Sequence, residues 1–296
     1  MSNSISKLIH IGIKKLLNKN LLDGEFASEL IHNKLLCDEP IMIARFGSTE
    51  IKAILYPRMP FFLKPLVKTK IIEDMRINSG FFPGDEDSIL KFSNMMIEDM
   101  KSIDILGSWR AEEFFLDKYI FRAKKVKLSC LEPYLQEKPW SRGLINKKVL
   151  IIHPFNMTIE NQYFNKREKL FSNKTVLPRF KSLETIKAVQ TIVGTKSRFE
   201  NWFDALDFMK TEIDKKEFDI AIIGCGAYGF PLAAHIKRMG KKAVHLGGAT
   251  QILFGIKGKR WMDNKNFDHI INEHFVFPNE FDKVHNFQIM EGGAYW

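Results

Sequence analysis

No stretch of this chain reaches the roughly 18 consecutive apolar residues that a membrane-spanning helix needs, so no helical span is expected. Cysteine is nearly absent. Cys37, Cys130 and Cys225 are odd in number and widely spaced, which builds neither a disulfide framework nor a zinc pattern. They are expected as reduced thiols in the core of a cytosolic protein. Internal repeats, low-complexity tracts and Gly/Ser linkers are also missing, which leaves no sign of a repeat array or a freely jointed chain. One absence is local: from Ile220 to Met262 there is no Asp or Glu, while seven cations occur, Lys237, Arg238, Lys241, Lys242, Lys257, Lys259 and Arg260.

What is present is a basic chain of 296 residues with a net charge of +10 and 45% hydrophobic residues. That length buries a large core, and that charge points to anionic partners. Residues 1–23 mix Lys7, Lys14, Lys15 and Lys19 with Leu8, Ile9, Ile13, Leu16 and Leu17. The lysines interrupt the apolar run and no small-residue cleavage site follows, unlike a signal peptide. As a helix this segment is basic and amphipathic, which suits a membrane surface, its own domain or a dimer partner. Residues 24–296 read as a single domain.

Short apolar runs alternate with helical patterns along the rest. Strands are expected at Ile41–Ala44, Ile103–Leu106, Val126–Cys130, Lys148–His153, Asp219–Ile223 and Ala243–Leu246, and helices over 24–36, 49–56, 86–101, 110–121, 183–193, 200–214 and 230–239. Strands separated by helices of this length imply βαβ units, hence an α/β fold with a mainly parallel, Rossmann-like sheet flanked by helices. Lys148–His153 and Phe218–Gly224 carry unbroken apolar runs, Val149–Ile152 and Ile220–Ile223, as central parallel strands covered on both faces should. Two Pro-rich stretches, Tyr56–Pro65 and Pro133–Gly143, are candidate boundaries without the length or polarity of a linker.

Ligands of such sheets bind beyond the carboxyl ends of the strands, and the informative residues fall there. Gly224-Cys-Gly-Ala-Tyr-Gly229 is a G-x-G-x-x-G between a strand and a helix, a turn that lets the backbone approach a phosphate. A dinucleotide site is the obvious reading. However, the next strand ends in Gly247-Gly248, where an NAD enzyme carries an acid for the ribose. Little chain remains after Gly224 for the usual dinucleotide sheet. Gly255-Ile-Lys-Gly-Lys-Arg-Trp261 places cations among glycines, with Phe254 and Trp261 as a candidate wall for a base or sugar. Such a loop suits a diphosphate.

The stretch Arg45-Phe-Gly-Ser-Thr-Glu50 follows the first strand and fits R-x-G-x-x-E. Taken singly, Ser48 caps a helix and Glu50 is a first-turn acid complementing its dipole. Together with the block from Gly224 to Trp261, and with "IDILGSW", "VLIIHPF" and the terminal "EGGAYW", it resembles the GT-D fold glycosyltransferases of bacterial capsule, lipopolysaccharide and glycoprotein glycan biosynthesis. The resemblance runs from about residue 25 to Trp296. It implies a domain that takes a nucleotide diphosphate sugar, with UDP as the first choice of nucleotide, and transfers the sugar to a hydroxyl of a glycan or lipid-linked acceptor. The family's first-described members carry Asp-x-Glu at this turn to hold a divalent metal; here Ser48 stands at the Asp position. Glu50 then either holds Mn²⁺ or Mg²⁺ with water and phosphate oxygens or binds ribose or sugar hydroxyls.

Breaking a glycosyl–phosphate bond builds negative charge on the departing diphosphate, which needs positive charge placed in advance. Arg45, Lys257 and Arg260 are the candidates for it. Gly47, Gly224, Gly226, Gly247 and Gly248 are candidates for backbone proximity, and Tyr228 and Gln251 for base or sugar contacts. His153 is the first candidate for a base on the acceptor hydroxyl, with Asp104 and Glu132 behind it. The expected setting is the cytosol, at the inner face of the plasma membrane where lipid-linked acceptors sit. An NAD(P)-dependent oxidoreductase built on the glycine turn is the alternative. A nucleic-acid binder is suggested by charge alone, without a recognition motif beside the basic residues, and is not expected.

Overall fold

Successive side chains of a strand face opposite sides of a sheet, and the strands here are apolar on both. Met42, Ala44, Leu150, Ile152, Ala221 and Ile223 enter one core, while Ile41, Ile43, Val149, Ile151, Ile220 and Ile222 enter another. The sheet between the cores has seven strands: β1 Ile41–Ala44, β2 Ile105–Ser108, β3 Lys124–Lys127, β4 Lys148–His153, β5 Ser182–Lys187, β6 Ile220–Ile223 and β7 Lys242–His245. Their order is β3-β2-β1-β7-β6-β4-β5 and every pairing is parallel. The fold is therefore α/β with a wholly parallel sheet, and strands from both halves of the chain are neighbours in it. The computed structural model describes residues 21–191, 197–283, 288 and 292–296; the basic segment before residue 21 lies outside them. No helix among the described residues is long and apolar enough to cross a membrane.

Among the described residues seven helices of eight or more residues cover the faces: α1 Gly24–Leu36, α2 Ser48–Leu55, α3 Lys64–Asn78, α4 Glu86–Met100, α5 Asn156–Leu170, α6 Trp202–Asp214 and α7 Gly229–Arg238. Buried residues of α2, α3, α4, α6 and α7 pack in the first core, and those of α1 and α5 in the second. Asp104 and Asp219 mark the starting edge of the sheet. Each carboxylate accepts a backbone N–H at the start of the neighbouring strand, that of Met42 and Lys148 respectively, at 2.8 Å.

Several expected elements move. The helix expected over 183–193 is absent from its described part, 183–191, and its last two residues lie outside the described ones: Ser182–Lys187 is the edge strand β5, in register with β4 from Lys148 to His153. Edge position explains the misreading, because half-exposed Leu183, Glu184 and Thr185 lack the apolar run of a central strand. β2 begins two residues later than expected, since Asp104 is spent on the Met42 N–H. β3 ends at Lys127, and Leu128–Leu131 turns into a 3₁₀ segment. Residues 111–120 divide into a 3₁₀ turn and one short α-turn. Helices α3 and α5 were not anticipated. The Pro-rich Tyr56–Pro65 is no boundary, because Pro65 sits in the first turn of α3, where its missing N–H costs nothing. Of the cysteines, Cys130 and Cys225 are buried thiols, whereas Cys37 is half-buried.

Candidate active site

The chain leaves β4 toward α5 on one face and leaves β6 toward α7 on the other. Adjacent strands whose onward connections part in this way open a crevice beyond their carboxyl ends. A cavity of about 260 Å³ lies there. Arg45, Gly47 and Glu50 beyond β1, His153 at the end of β4, Gly224, Gly226 and Tyr228 beyond β6, and Gly247, Gly248, Gln251 and Arg260 beyond β7 all line it. Lys257 does not. Its backbone is pinned by the Ile256–Val276 bridge and its ammonium lies 5.1 Å from the centre of the Phe277 ring. Phe254 is wholly buried core, and Trp261 lines a neighbouring cavity instead.

Arg45 extends from the tip of β1 with its guanidinium 5.2 Å from the centre of the Trp109 ring. Trp109 is held in turn by its indole N–H, which donates to the Phe46 carbonyl at 2.9 Å. Arg45 makes no ion pair within 4 Å among the described residues. Burial lowers its pKa, with the Glu50 charge opposing and the Arg260 charge assisting. The side chain stays charged at any ordinary pH, so this is a desolvated cation on which the Glu50 and Glu132 carboxylates act without forming an ion pair. Glu50 stands in the first turn of α2 and accepts from the Ser79 hydroxyl at 3.0 Å. Its carboxylate folds back over Gly47, where an added Cβ would meet Oε2 at 1.7 Å. Gly47, not Ser48, is the N-cap, and it offers no side-chain cap.

The glycine turn is small for two reasons. A Cβ on Gly224 would stand 2.6 Å from the Thr250 hydroxyl and 2.7 Å from both the Gly247 carbonyl and His153; one on Gly229 would stand 2.3 Å from His245. Protein fills those positions, as it does at Gly248, which abuts Tyr295. Only Gly226, at φ +56°, faces open space. It is the one glycine of the turn whose freedom serves a ligand's approach. Gln251 is likewise structural in part, donating to the Tyr295 carbonyl at 3.0 Å.

His153 is buried, and its Nδ1 accepts from the Phe155 N–H at 2.9 Å. The proton therefore sits on Nε2, and burial lowers the pKa to about 3. A histidine with its lone pair already engaged is a hydrogen-bond donor, not a base, which corrects the sequence expectation. Asp104 fails for a different reason: it lies at the opposite edge of the sheet, bound to Met42 and paired with Lys237 at 2.7 Å. Glu132 remains. It accepts from Tyr134 at 2.8 Å, burial raises its pKa, and it faces a second cavity of about 230 Å³ that shares Arg45, Gly248, Arg260 and Tyr295 with the first.

His245, at the end of β7, is also buried, with a pKa lowered to about 3 by burial and then by the Arg45 charge. Both histidines have folded pKa values below the unfolded value of about 6.5. Their contribution to stability is complete above pH 6.5 and is lost as pH falls toward 3, at roughly 1.4 kcal/mol per pH unit for each. Lowering the pH from 7 to 5 should cost about 2 kcal/mol per histidine, read as a falling melting temperature. Buried Asp99 and Glu113, with raised pKa values, act in the opposite sense at lower pH. The decisive comparison is therefore with His245→Asn, which should flatten the slope; an equal slope would show that His245 is not held neutral.

A divalent cation finds a poor set of ligands here. Glu50 is the one carboxylate lining the main cavity, it shares that lining with Arg45 and Arg260, and no group of three metal-ligating side chains occurs among the described residues. Residues that sequence reasoning missed include Trp109, Ser79, Thr191, His245, Tyr295 and Trp296. Trp109 directly follows β2 and becomes a strand-tip residue once that strand is ended at Ser108. Ser79 follows the unanticipated α3, and Tyr295 and Trp296 arrive from the far end of the chain.

No protein-family profile matches this chain, and no curated protein does. Solved structures do resemble it. One, described as a domain of unknown function (DUF1792) in selenomethionine form, is 10% identical with a TM-score of 0.42, over 81% of this chain and 82% of its own. Another, described as the same domain with a distinct glycosyltransferase fold, is 12% identical with a TM-score of 0.39, over 79% and 80%. A third, described as a new glycosyltransferase (DUF1792) from Streptococcus sanguinis, is 12% identical with a TM-score of 0.37, over 88% and 96%. At such scores these likenesses do not decide what the chain does, and the chemistry has to come from the cavity.

Proposed function

We propose that the chain is a glycosyltransferase that binds a nucleotide diphosphate sugar in the cavity between β4 and β6 and transfers the sugar to an acceptor hydroxyl. The supporting observation is Arg45, a desolvated cation without an ion pair among the described residues, facing the same cavity as Arg260 and the open side of Gly226. As the bond from the anomeric carbon to the diphosphate oxygen breaks, its electron pair leaves with the diphosphate. Arg45 and Arg260 neutralise that charge, and the N–H of His153 Nε2 donates to an oxygen of the same group. Glu50 accepts from ribose or sugar hydroxyls. Glu132 takes the acceptor proton from the adjoining cavity, its raised pKa bringing it nearer the range of an effective base at neutral pH.

A thermal-shift screen against UDP, GDP, CDP, NAD and NADP, each with and without Mn²⁺ or Mg²⁺, tests this. A nucleoside diphosphate at about 100 times its Kd should stabilise the fold by roughly 2.7 kcal/mol, with little change on adding metal. Stabilisation by NAD or NADP alone would support the oxidoreductase that the Gly224–Gly229 turn also permits, and would remove the transferase reading. Stabilisation that requires metal would restore Glu50 as a metal ligand.

A further inference from the structure

The turn between α2 and α3, with the start of α3, exposes apolar side chains that no described residue covers. Phe61 is 84% exposed, Phe62 63% and Leu66 78%, and the two phenyl rings stand edge to face at 5.8 Å. Around them the sequence from Ile51 to Ile72 contains no acid but five cations: Lys52, Arg58, Lys64, Lys68 and Lys70. Arg58 connects this turn to Tyr119, 6.0 Å from its ring centre, beside Phe121, which is 73% exposed. The acids that reach the patch are Glu86, paired with exposed Lys68 and also accepting from Tyr56, and half-buried Asp74, paired with exposed Lys70. Such pairs contribute little and yield to a stronger anionic surface.

We propose that this turn is a docking surface for an anionic lipid bilayer. Exposed phenylalanines sink to the boundary between headgroups and acyl chains, and the flanking lysines lay their stems along the apolar surface while their ammonium groups meet anionic headgroups. A second copy of the chain fits less well, because a two-fold interface sets the same patch against itself and would bring these cations face to face. Glu50 lies in the first turn of α2 and the patch follows its last.

The test uses the full chain in co-sedimentation with vesicles of equal parts phosphatidylglycerol and phosphatidylcholine, against pure phosphatidylcholine. Binding is expected only to the anionic vesicles and should weaken with salt. Phe61→Ser/Phe62→Ser should weaken it by about tenfold or more, and Lys64→Glu/Lys70→Glu should remove the preference for anionic lipid. Both variants should melt with the wild type, since the altered side chains lie at the surface. Absence of wild-type binding would overturn the proposal. So would a Phe variant that binds like the wild type, which would place membrane contact elsewhere in the chain. A dimer that the Phe substitutions convert to monomer, without vesicle binding, would identify the patch as a self-association surface instead.

Discussion

Replacing Arg45 with methionine should lower sugar transfer by roughly 10²–10³-fold while leaving the melting temperature unchanged or slightly raised. The two halves of that expectation have one cause. Arg45 is desolvated and lacks an ion pair within 4 Å among the described residues, so the attraction of Glu50 and Glu132 reaches it only at longer range, against repulsion from Arg260. Without a ligand, its charge is a cost to the fold, and methionine keeps the packing on Trp109 while removing that cost. In the transition state the same charge faces a diphosphate in a site with little water, where it is worth most. Activity measured with a donor at saturation, set beside thermal unfolding, separates these effects. A variant that unfolds several degrees earlier would mean that Arg45 is structural. One that transfers at the wild-type rate would remove it from the chemistry. Glu50→Ala should also reduce transfer, with little stability change, because Glu50 is only partly buried and its one side-chain hydrogen bond among the described residues is to Ser79.

Trp202→Ala should produce the largest loss of stability, about 3–5 kcal/mol, or a melting temperature lower by about 10 °C. Trp202 is wholly buried and opens α6, where Asn201 caps the helix by accepting from the Phe203 and Asp204 N–H groups. Its ring meets Phe81, Phe92 and Phe203, and lies flat on Tyr228 at 4.6 Å with 7° between the planes. Tyr228 lines the cavity, so the cavity left by alanine undermines the site wall as well as the core. Nucleotide binding should therefore weaken together with the fold. Trp202→Phe should cost much less. It keeps most of the aromatic packing and deletes an indole N–H that is buried without a partner, so part of the packing loss is offset. Equal melting temperatures for Trp202→Ala and the wild type would show that this aromatic cluster does not anchor α6.

Much of the fold was legible from short-range pattern. Central strands such as Lys148–His153 and Ile220–Ile223 are apolar on both faces because both faces are covered, and that leaves a run recognisable without any neighbour in view. The location of the site follows from the same logic: Arg45, Gly47, Glu50, His153, Gly224, Gly226, Tyr228, Gly247, Gly248 and Gln251 come after strand ends and line one cavity with Arg260, whereas Lys257, Phe254, Trp261, Asp104 and Glu132 do not. Where the sequence misled, the deciding contact was distant. β5 is a strand because β4 pairs with it over six residues, whereas its own composition is that of a polar edge. Lys257 points away because Val276 holds its backbone.

The roles of residues, as distinct from their location, were set by tertiary structure. G-x-G-x-x-G is one pattern, yet Gly224 and Gly229 are small to admit Thr250, His153 and His245, and Gly226 alone opens to a ligand. His153 has the composition of a base, but a single hydrogen bond from Phe155 turns it into a donor. Spacing along the chain determines which side chains reach the end of a strand. Protonation, charge compensation and free volume depend on atoms brought from elsewhere in the chain, and for this protein only the folded arrangement of β1, β4, β6 and the terminal Tyr295–Trp296 supplies them.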